Sequence, residues 1–286
     1  MPNTQNIRPR RSLLFVPAAR LEMFPKAVKA GPDVICIDLE DAVALQKKEQ
    51  ARADCMNMLS AQPDMGKSEI LVRVNGLGTR QGLADMLALL DCKAPPDGVM
   101  LPKVGSAAEI KMLDELLESE GSALHIHLLI ETNAGLEACH EITKSSPRLD
   151  SILFGGIDMA AELRVEPIWD ALFYARTRLV HAAASAGIDL IDAPRLDLED
   201  MAGLELEASR SAALGMTGKS AIHPKQLPAI QQAFTPSADE IETARRVLAA
   251  FDEAGGGLAV LDGKMIEKPV LVSMRRILAI KEMLEE

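Results

Sequence analysis

The chain has 286 residues, 48% of them hydrophobic and 26% charged, with 31 Lys and Arg against 42 Asp and Glu for a formal net charge of −11. That length suits one large α/β barrel or two ordinary domains, and the composition is that of a soluble globular protein. The acidic balance, relieved only by the short run Arg8-Pro-Arg-Arg11, argues against nucleic acid as a partner.

The opening MPNTQNIRPRR is polar and lacks the apolar core of a signal peptide. Ser12-Leu-Leu-Phe-Val-Pro17 follows and predicts a first strand, and Glu22 to Ala30 predicts a helix stopped by Gly31. Asp33-Val-Ile-Cys-Ile-Asp-Leu-Glu-Asp-Ala-Val43 carries an unbroken apolar run, as in a strand buried on both faces, and then three acids: Asp38, Glu40 and Asp41. Buried charge is costly unless paired or bound, so acids at a strand's end need a partner. A helix from about Val43 to Ala61 comes next, then a strand from Ile70 to Val74 closing on Arg73, and a helix ending near Cys92.

The fourth strand, Gly98 to Val104, contains Lys103 and leads into the capping box Ser106-Ala-Ala-Glu109, which opens a helix running to Gly121. The fifth strand, His125 to Glu131, and the sixth, Ser151 to Asp158, both close on an acid. His125 and His127 read as packing or surface groups without other ligands near them, and Cys36 as an inert core thiol. A helix from about Trp169 to Ala186 precedes the seventh strand, Asp189 to Asp192. Lys219 to His223 has poor strand propensity but falls where an eighth strand belongs.

Strand starts at 12, 34, 70, 98, 125, 151, 189 and 219 give the spacing of β/α units, which predicts a TIM barrel with its functional groups at the strands' carboxyl ends. A doubly wound open sheet is the alternative, disfavoured because no G-x-G-x-x-G follows the first strand. The predicted barrel domain covers residues 1–234, and residues 235–286 form a C-terminal helical extension. This extension opens with a second capping box, Ser237-Ala-Asp-Glu240. Gly255-Gly-Gly257 then reads as the hinge of a mobile lid, or as a plain linker, ahead of Leu258 to Glu267 and a last helix from Pro269. The scattered cysteines Cys36, Cys55, Cys92 and Cys139 predict neither disulfides nor zinc. No apolar run reaches membrane-span length, so a cytoplasmic protein without membrane partners is the expectation.

Several groups could do chemistry. Glu131 and Asp158 close consecutive strands and either hold magnesium together or cap the helices that follow. Arg73 either neutralises Glu40 or Asp41 or grips a substrate carboxylate or oxyanion. Lys103 reads as a structural ion pair, with a Schiff-base lysine as the alternative. Gly155-Gly156 bares backbone N–H groups as an oxyanion site.

Arg11-Ser-Leu-Leu-Phe-Val-Pro17, the acid-rich stretch 33–43, Arg73-Val-Asn75, Leu101-Pro-Lys103, Ile130-Glu-Thr132, Phe154-Gly-Gly-Ile-Asp158 and Gly218-Lys-Ser-Ala-Ile-His-Pro-Lys-Gln226 together resemble the citrate lyase β-subunit-like family. That family falls within the HpcH/HpaI aldolase/citrate lyase superfamily of magnesium-dependent enzymes, with malyl-CoA and citramalyl-CoA lyases. The resemblance implies Mg2+ (or Mn2+) on Glu131 and Asp158, with Arg73 polarising the keto or hydroxy acid. It also implies that Glu40 and Asp41 support that arginine and the metal's waters, and that backbone N–H groups of Gly156, Ile157 and Asp158 take the substrate carboxylate. Phe15, Pro17, Arg20, Lys26 and Pro194 would lie along CoA. The lid acid would be Glu267, standing where the family has Asp, with Asp262 as the other candidate; Ala18 replaces a usual glycine. A homotrimer or dimer of trimers is implied, with each lid acting on the neighbouring subunit. The implied reaction is cleavage of citramalyl-CoA or malyl-CoA to acetyl-CoA and pyruvate or glyoxylate. Alternatives are a citryl lyase subunit acting on a carrier-protein thioester and an aldolase for non-thioester acids.

Overall fold

The computed structural model describes residues 8–254 and 259–285. Eight parallel strands close on themselves in chain order: β1 (Ser12–Pro17), β2 (Val34–Asp38), β3 (Glu69–Arg73), β4 (Gly98–Leu101), β5 (His125–Ile130), β6 (Leu149–Phe154), β7 (Asp189–Asp192) and β8 (Gly218–Ala221). The last strand pairs with the first, Ser12 beside Lys219, which makes the sheet a TIM barrel and not an open one. Its interior is filled by Leu13, Val34, Cys36, Leu71, Met100, Leu129, Leu153 and Ile191, drawn from seven of the eight strands, with Phe15 packed against them. Cys36 is fully buried there, and burial pushes its thiol up out of the reactive range.

The outer layer is α1 (Phe24–Lys29), α2 (Lys48–Ser60), α3 (Arg80–Leu90), α4 (Ala107–Ser119), α5 (Asn133–Ile142), α6 (Gly156–Leu163), α7 (Phe173–Ala186), α8 (Met201–Leu214) and α9 (Leu227–Phe234). Helices α8 and α9 have no counterpart in the sequence reading, and α5 enters it only as the helix that Glu131 would cap. The start of α8 is nevertheless marked: the Asp200 carboxylate accepts the Gly203 N–H at 2.9 Å, an N-cap. Helix α2 begins five residues later than anticipated, after a 3-10 turn at Leu45–Lys47. The predicted box at Ser106 is half formed. Glu109 accepts from the Ser106 hydroxyl and the Gly105 N–H, but the serine caps no backbone amide.

The largest departure is at β6, which ends at Phe154, so that Asp158 lies in the first turn of α6 and not on a strand. Gly155 breaks the strand there. A Cβ on Gly155 would sit 2.3 Å from Glu131 Cβ and 2.7 Å from Glu131 Oε2, so only glycine lets the chain turn past that acid.

The amino-terminal pole of the barrel is charged and corrects the reading of the histidines. Arg10 is buried and bonds Glu69 Oε2 at 2.6 Å, Asp150 Oδ2 at 2.7 Å and Asp189 Oδ2 at 3.1 Å. His125 Nδ1 lies 3.1 Å from the same Asp150 oxygen, and His127 Nδ1 lies 2.7 Å from Ser151 Oγ. Glu69, His127 and Asp150 are close enough to share a cation, and the Arg10 guanidinium already holds both carboxylates. Burial holds His127 down at about 4, so it is neutral at ordinary pH.

Residues Arg10–Ala233 make one compact unit, and the chain from Phe234 onward belongs to a second. The second unit contains α10 (Ala238–Glu253), a hairpin of β9 (Ala259–Leu261) and β10 (Lys264–Ile266), and α11 (Lys268–Glu285). The capping box at Ser237 and Glu240 is complete. Val247, Ala259, Ile266 and Leu271 form a small core of this unit, with Phe251 and Met274 against it. Asp262-Gly263 turns the hairpin with both residues at positive φ, the Asp-Gly signature of a tight two-residue connection. The suggested hinge Gly255–Gly257 lies outside the described residues.

Candidate active site

The register of β2 and β3 creates the site's central feature. Asp38 and Arg73 are Cα partners at the carboxyl ends of adjacent strands, so their side chains meet at the barrel mouth. Arg73 Nε donates to Asp38 Oδ1 at 2.8 Å and Nη2 to Oδ2 at 2.6 Å, a bidentate pair. The Arg73 guanidinium also lies 5.0 Å from the centroid of the Phe15 ring, and the side chain as a whole is nine-tenths buried. Nη1 and the second N–H of Nη2 remain for other partners. Glu40 Oε2 is 3.2 Å from Nη1 and Asp41 Oδ2 4.0 Å. Asp38 was not anticipated as a site residue. The signal lay in strand register, since two residues that end neighbouring parallel strands share one rim.

Glu40 is buried, and Lys103 Nζ donates to its Oε1 at 2.5 Å. Its other oxygen has no hydrogen-bond partner among the described residues. Burial raises the Glu40 pKa, against the pull of Lys103 and Arg73. Asp41, with 57% of its side chain exposed, stands at the edge of the mouth, 3.7 Å from Lys103 Nζ.

Glu131 follows β5 directly and is 1% exposed. Its Oε1 accepts the Lys103 N–H at 2.9 Å. Burial first, then the charges of Asp158 and Glu40, push its carboxyl up to about 8, with Lys103 and Arg73 opposing only in part. A buried acid so little compensated fits a divalent cation, and half-buried Asp158, whose charge reaches Glu131, would offer a second oxygen donor. Two carboxylates are a donor set that suits Mg2+ or Mn2+. Gly156, Ile157 and Asp158 make the first turn of α6, the end of a helix whose N–H groups lack intrahelical partners.

The structure therefore gathers Phe15, Glu40, Asp41, Arg73, Lys103, Glu131 and Asp158 at one pole. Pro17 is half-buried at the end of β1. Arg20 and Lys26 are exposed on the connection that follows, with Arg20 paired to Glu22. Pro194 follows β7 by two residues, in a segment tied down by an unanticipated buried network. Lys219 Nζ donates to Asp192 Oδ2 at 2.8 Å and to the Ala193 carbonyl at 2.7 Å, and Arg176 Nε meets Asp192 Oδ1 at 3.0 Å. Burial opposes the Asp192 charge, but Lys219 and Arg176 outweigh it and hold the acid at about 2. In the second unit, Glu267 is exposed just past β10, whereas Asp262 is engaged at both oxygens by Arg246, at 2.9 and 2.8 Å.

The chain is similar to known proteins over most of its length. The family described as HpcH/HpaI aldolase/citrate lyase matches residues 11–224. An L-malyl-CoA/beta-methylmalyl-CoA lyase of Cereibacter sphaeroides is 36% identical, with 91% of each chain covered. A (3S)-malyl-CoA thioesterase of the same organism is also 36% identical, over 95% of this chain and 94% of that one. Among solved structures, CitE from Mycobacterium tuberculosis in complex with magnesium, acetoacetate and coenzyme A superimposes with a TM-score of 0.77 at 31% identity, covering 95% of this chain and 97% of that one. The chain belongs to the HpcH/HpaI aldolase/citrate lyase family.

Proposed function

We propose that this protein is a Mg2+-dependent carbon–carbon lyase that cleaves a 3-hydroxyacyl-CoA, malyl-CoA or citramalyl-CoA, into acetyl-CoA and glyoxylate or pyruvate. The observation that carries the reading is the buried Glu131, at the mouth where Asp38 holds Arg73 from one side and its Nη1 faces Glu40 and Asp41 without a hydrogen bond. Relatives whose names specify malyl-CoA, and a neighbour holding magnesium and coenzyme A, support the choice of substrate and cofactor.

Glu131 and Asp158 would hold the ion, which supplies Lewis acidity toward the substrate's hydroxyl and carboxylate oxygens. Arg73, aligned by Asp38, offers Nη1 to the oxygen on which charge develops. Glu40 Oε2, a buried acceptor without a donor of its own, receives the hydroxyl proton. Asp41 supports Arg73 from the rim, and the N–H groups of Gly156, Ile157 and Asp158 take the carboxylate. As the carbon–carbon bond breaks, the keto acid forms and the electron pair passes to the thioester enolate. Glu267 then gives that carbon its proton, yielding acetyl-CoA. The exposed carboxylate of Glu267 favours it over Asp262, which Arg246 already engages.

Phe15, Pro17, Arg20, Lys26 and Pro194 border the CoA path, with Arg20 and Lys26 supplying positive charge for phosphates. The working assembly is a homotrimer in which Glu267 serves the neighbouring subunit, and the protein acts in the cytoplasm. Light scattering checks the assembly: about three times 30.8 kDa supports it, and a monomer in active solution contradicts it.

A second reading is thioester hydrolysis, favoured by the equal similarity to the malyl-CoA thioesterase. One assay separates the two. Purified protein with malyl-CoA and Mg2+ releases acetyl-CoA and glyoxylate if it is a lyase, but free CoA and malate if it is a thioesterase. Glu131→Ala and Asp158→Ala abolish either activity, and normal turnover in either variant overturns the assignment of the metal.

A further inference from the structure

Lys103 is not explained by pairing alone. Its φ is +54°, the left-handed region, without the freedom of glycine. Nearly half of its side chain is exposed, so its ion pairs are not those of a sealed core. Such a conformation persists only where the surroundings enforce it, and such sites cluster at functional centres. The turn has two results. The Lys103 N–H is aimed at Glu131 Oε1, at 2.9 Å, and the Lys103 ammonium reaches Glu40 Oε1, at 2.5 Å. One residue thus holds the acid that would carry the metal and the acid that faces Arg73.

The second contact matters because of what Glu40 would otherwise do. Arg73 spends Nε and one N–H of Nη2 on Asp38, so the edge that carries Nη1 is the one turned to Glu40 and to any substrate oxygen. Glu40 Oε2 stands 3.2 Å from Nη1 yet makes no hydrogen bond to it. Without a counter-pull, a buried carboxylate closes on the nearest guanidinium, where a charge-assisted bond awaits it. It would then occupy the place a substrate oxygen needs.

We propose that Lys103 is a positioning residue whose ammonium restrains Glu40, keeping Nη1 of Arg73 open for the anionic oxygens of a 2-keto acid, while its backbone N–H fixes Glu131. This rests on the lyase reading above. It gives Lys103 a role other than Schiff-base formation or a passive ion pair, and it makes Glu40 a competitor of substrate that has to be held back.

The test is calorimetric titration of Mg2+, and then of glyoxylate and pyruvate at saturating Mg2+, into wild type, Lys103→Gly, Lys103→Arg and the double variant Lys103→Gly/Glu40→Gln. Glycine keeps the positive φ and the amide, so Lys103→Gly binds Mg2+ within about threefold of wild type while its keto-acid affinity falls tenfold or more. Lys103→Arg, which keeps a cation, stays within about threefold for both ligands. Removing the competing charge in the double variant restores at least fivefold of the lost keto-acid affinity, although turnover stays low. A purely structural lysine predicts no such rescue. If Lys103→Gly does not fold, as its thermal transition reports, Lys103→Met gives the same comparison. Keto-acid binding within twofold of wild type in the single variant, or no recovery in the double, overturns the proposal. A wild type that binds neither keto acid overturns the lyase reading itself, and the two failures differ in which protein is silent.

Discussion

Replacing Glu131 with glutamine should make the metal-free protein more stable at alkaline pH while destroying its metal site. The Glu131 carboxyl is 1% exposed and is raised to about 8 from an ordinary 4.5. Between those values the folded state keeps a proton that the unfolded chain has released. Stability from this group is therefore complete below pH 4.5, declines as pH rises, and is gone above pH 8. Each pH unit in that window is worth about 1.4 kcal/mol, so raising the pH from 6 to 8 withdraws roughly 2–3 kcal/mol. For a chain of this size that is a drop of about 5–10 °C in melting temperature. Glutamine resembles the protonated acid, still accepts the Lys103 N–H, and has nothing to titrate. Glu40 is raised in the same direction and its charge acts on Glu131, so the difference in slope reports Glu131 together with its interaction with Glu40. The assay is thermal unfolding in EDTA from pH 6 to 9, repeated with Mg2+. Wild type loses stability across the range and regains it with Mg2+; Glu131→Gln melts with a shallower slope and ignores Mg2+. Equal slopes in EDTA, or a glutamine variant less stable at pH 8, would refute the reasoning.

Gly155→Ala places a methyl 2.3 Å from Glu131 Cβ, so the acid must move; Mg2+ affinity measured by calorimetry falls at least tenfold even where the fold survives. Arg73→Lys keeps a charge but loses the two-point bond to Asp38, and kcat measured at saturating substrate drops about 100-fold or more. Lys219→Ala leaves Asp192 buried with Arg176 as its remaining cation; urea unfolding should show a loss of about 3–5 kcal/mol. Asp38→Asn leaves Mg2+ binding intact but weakens 2-keto acid binding, seen by calorimetry, because Arg73 loses its alignment.

The barrel was legible because its strands are short apolar runs at β/α spacing, and parallel strands buried on both faces must look that way. The β8 segment, Gly218–Ala221, was legible only by position, since Gly-Lys-Ser-Ala has no strand propensity; its residues are fully buried through closure with β1 and the ion pairs of Lys219. Glu131 was visible at the end of an apolar run. Asp158 was visible too, but on the wrong element, because Gly155-Gly156 both ends the strand and opens the helix. What spacing does not encode is which charges meet across the barrel. Arg10 with Glu69, Asp150 and Asp189 spans up to 179 positions in sequence, and its meaning appears only when the amino ends of the strands are brought together. The same holds for Asp38 with Arg73, a product of strand register, and for Lys103 with Glu40, which lie just past two strands that are not neighbours. The role of Lys103 depends on a positive φ that no residue type signals other than glycine or asparagine.

The most direct measurement is product analysis after the purified protein alone is given malyl-CoA and, separately, citramalyl-CoA, each with Mg2+ and with excess EDTA. The account predicts Mg2+-dependent release of acetyl-CoA together with glyoxylate or pyruvate, and silence in EDTA. Turnover that survives EDTA, or release of free CoA and malate in place of acetyl-CoA, would contradict it.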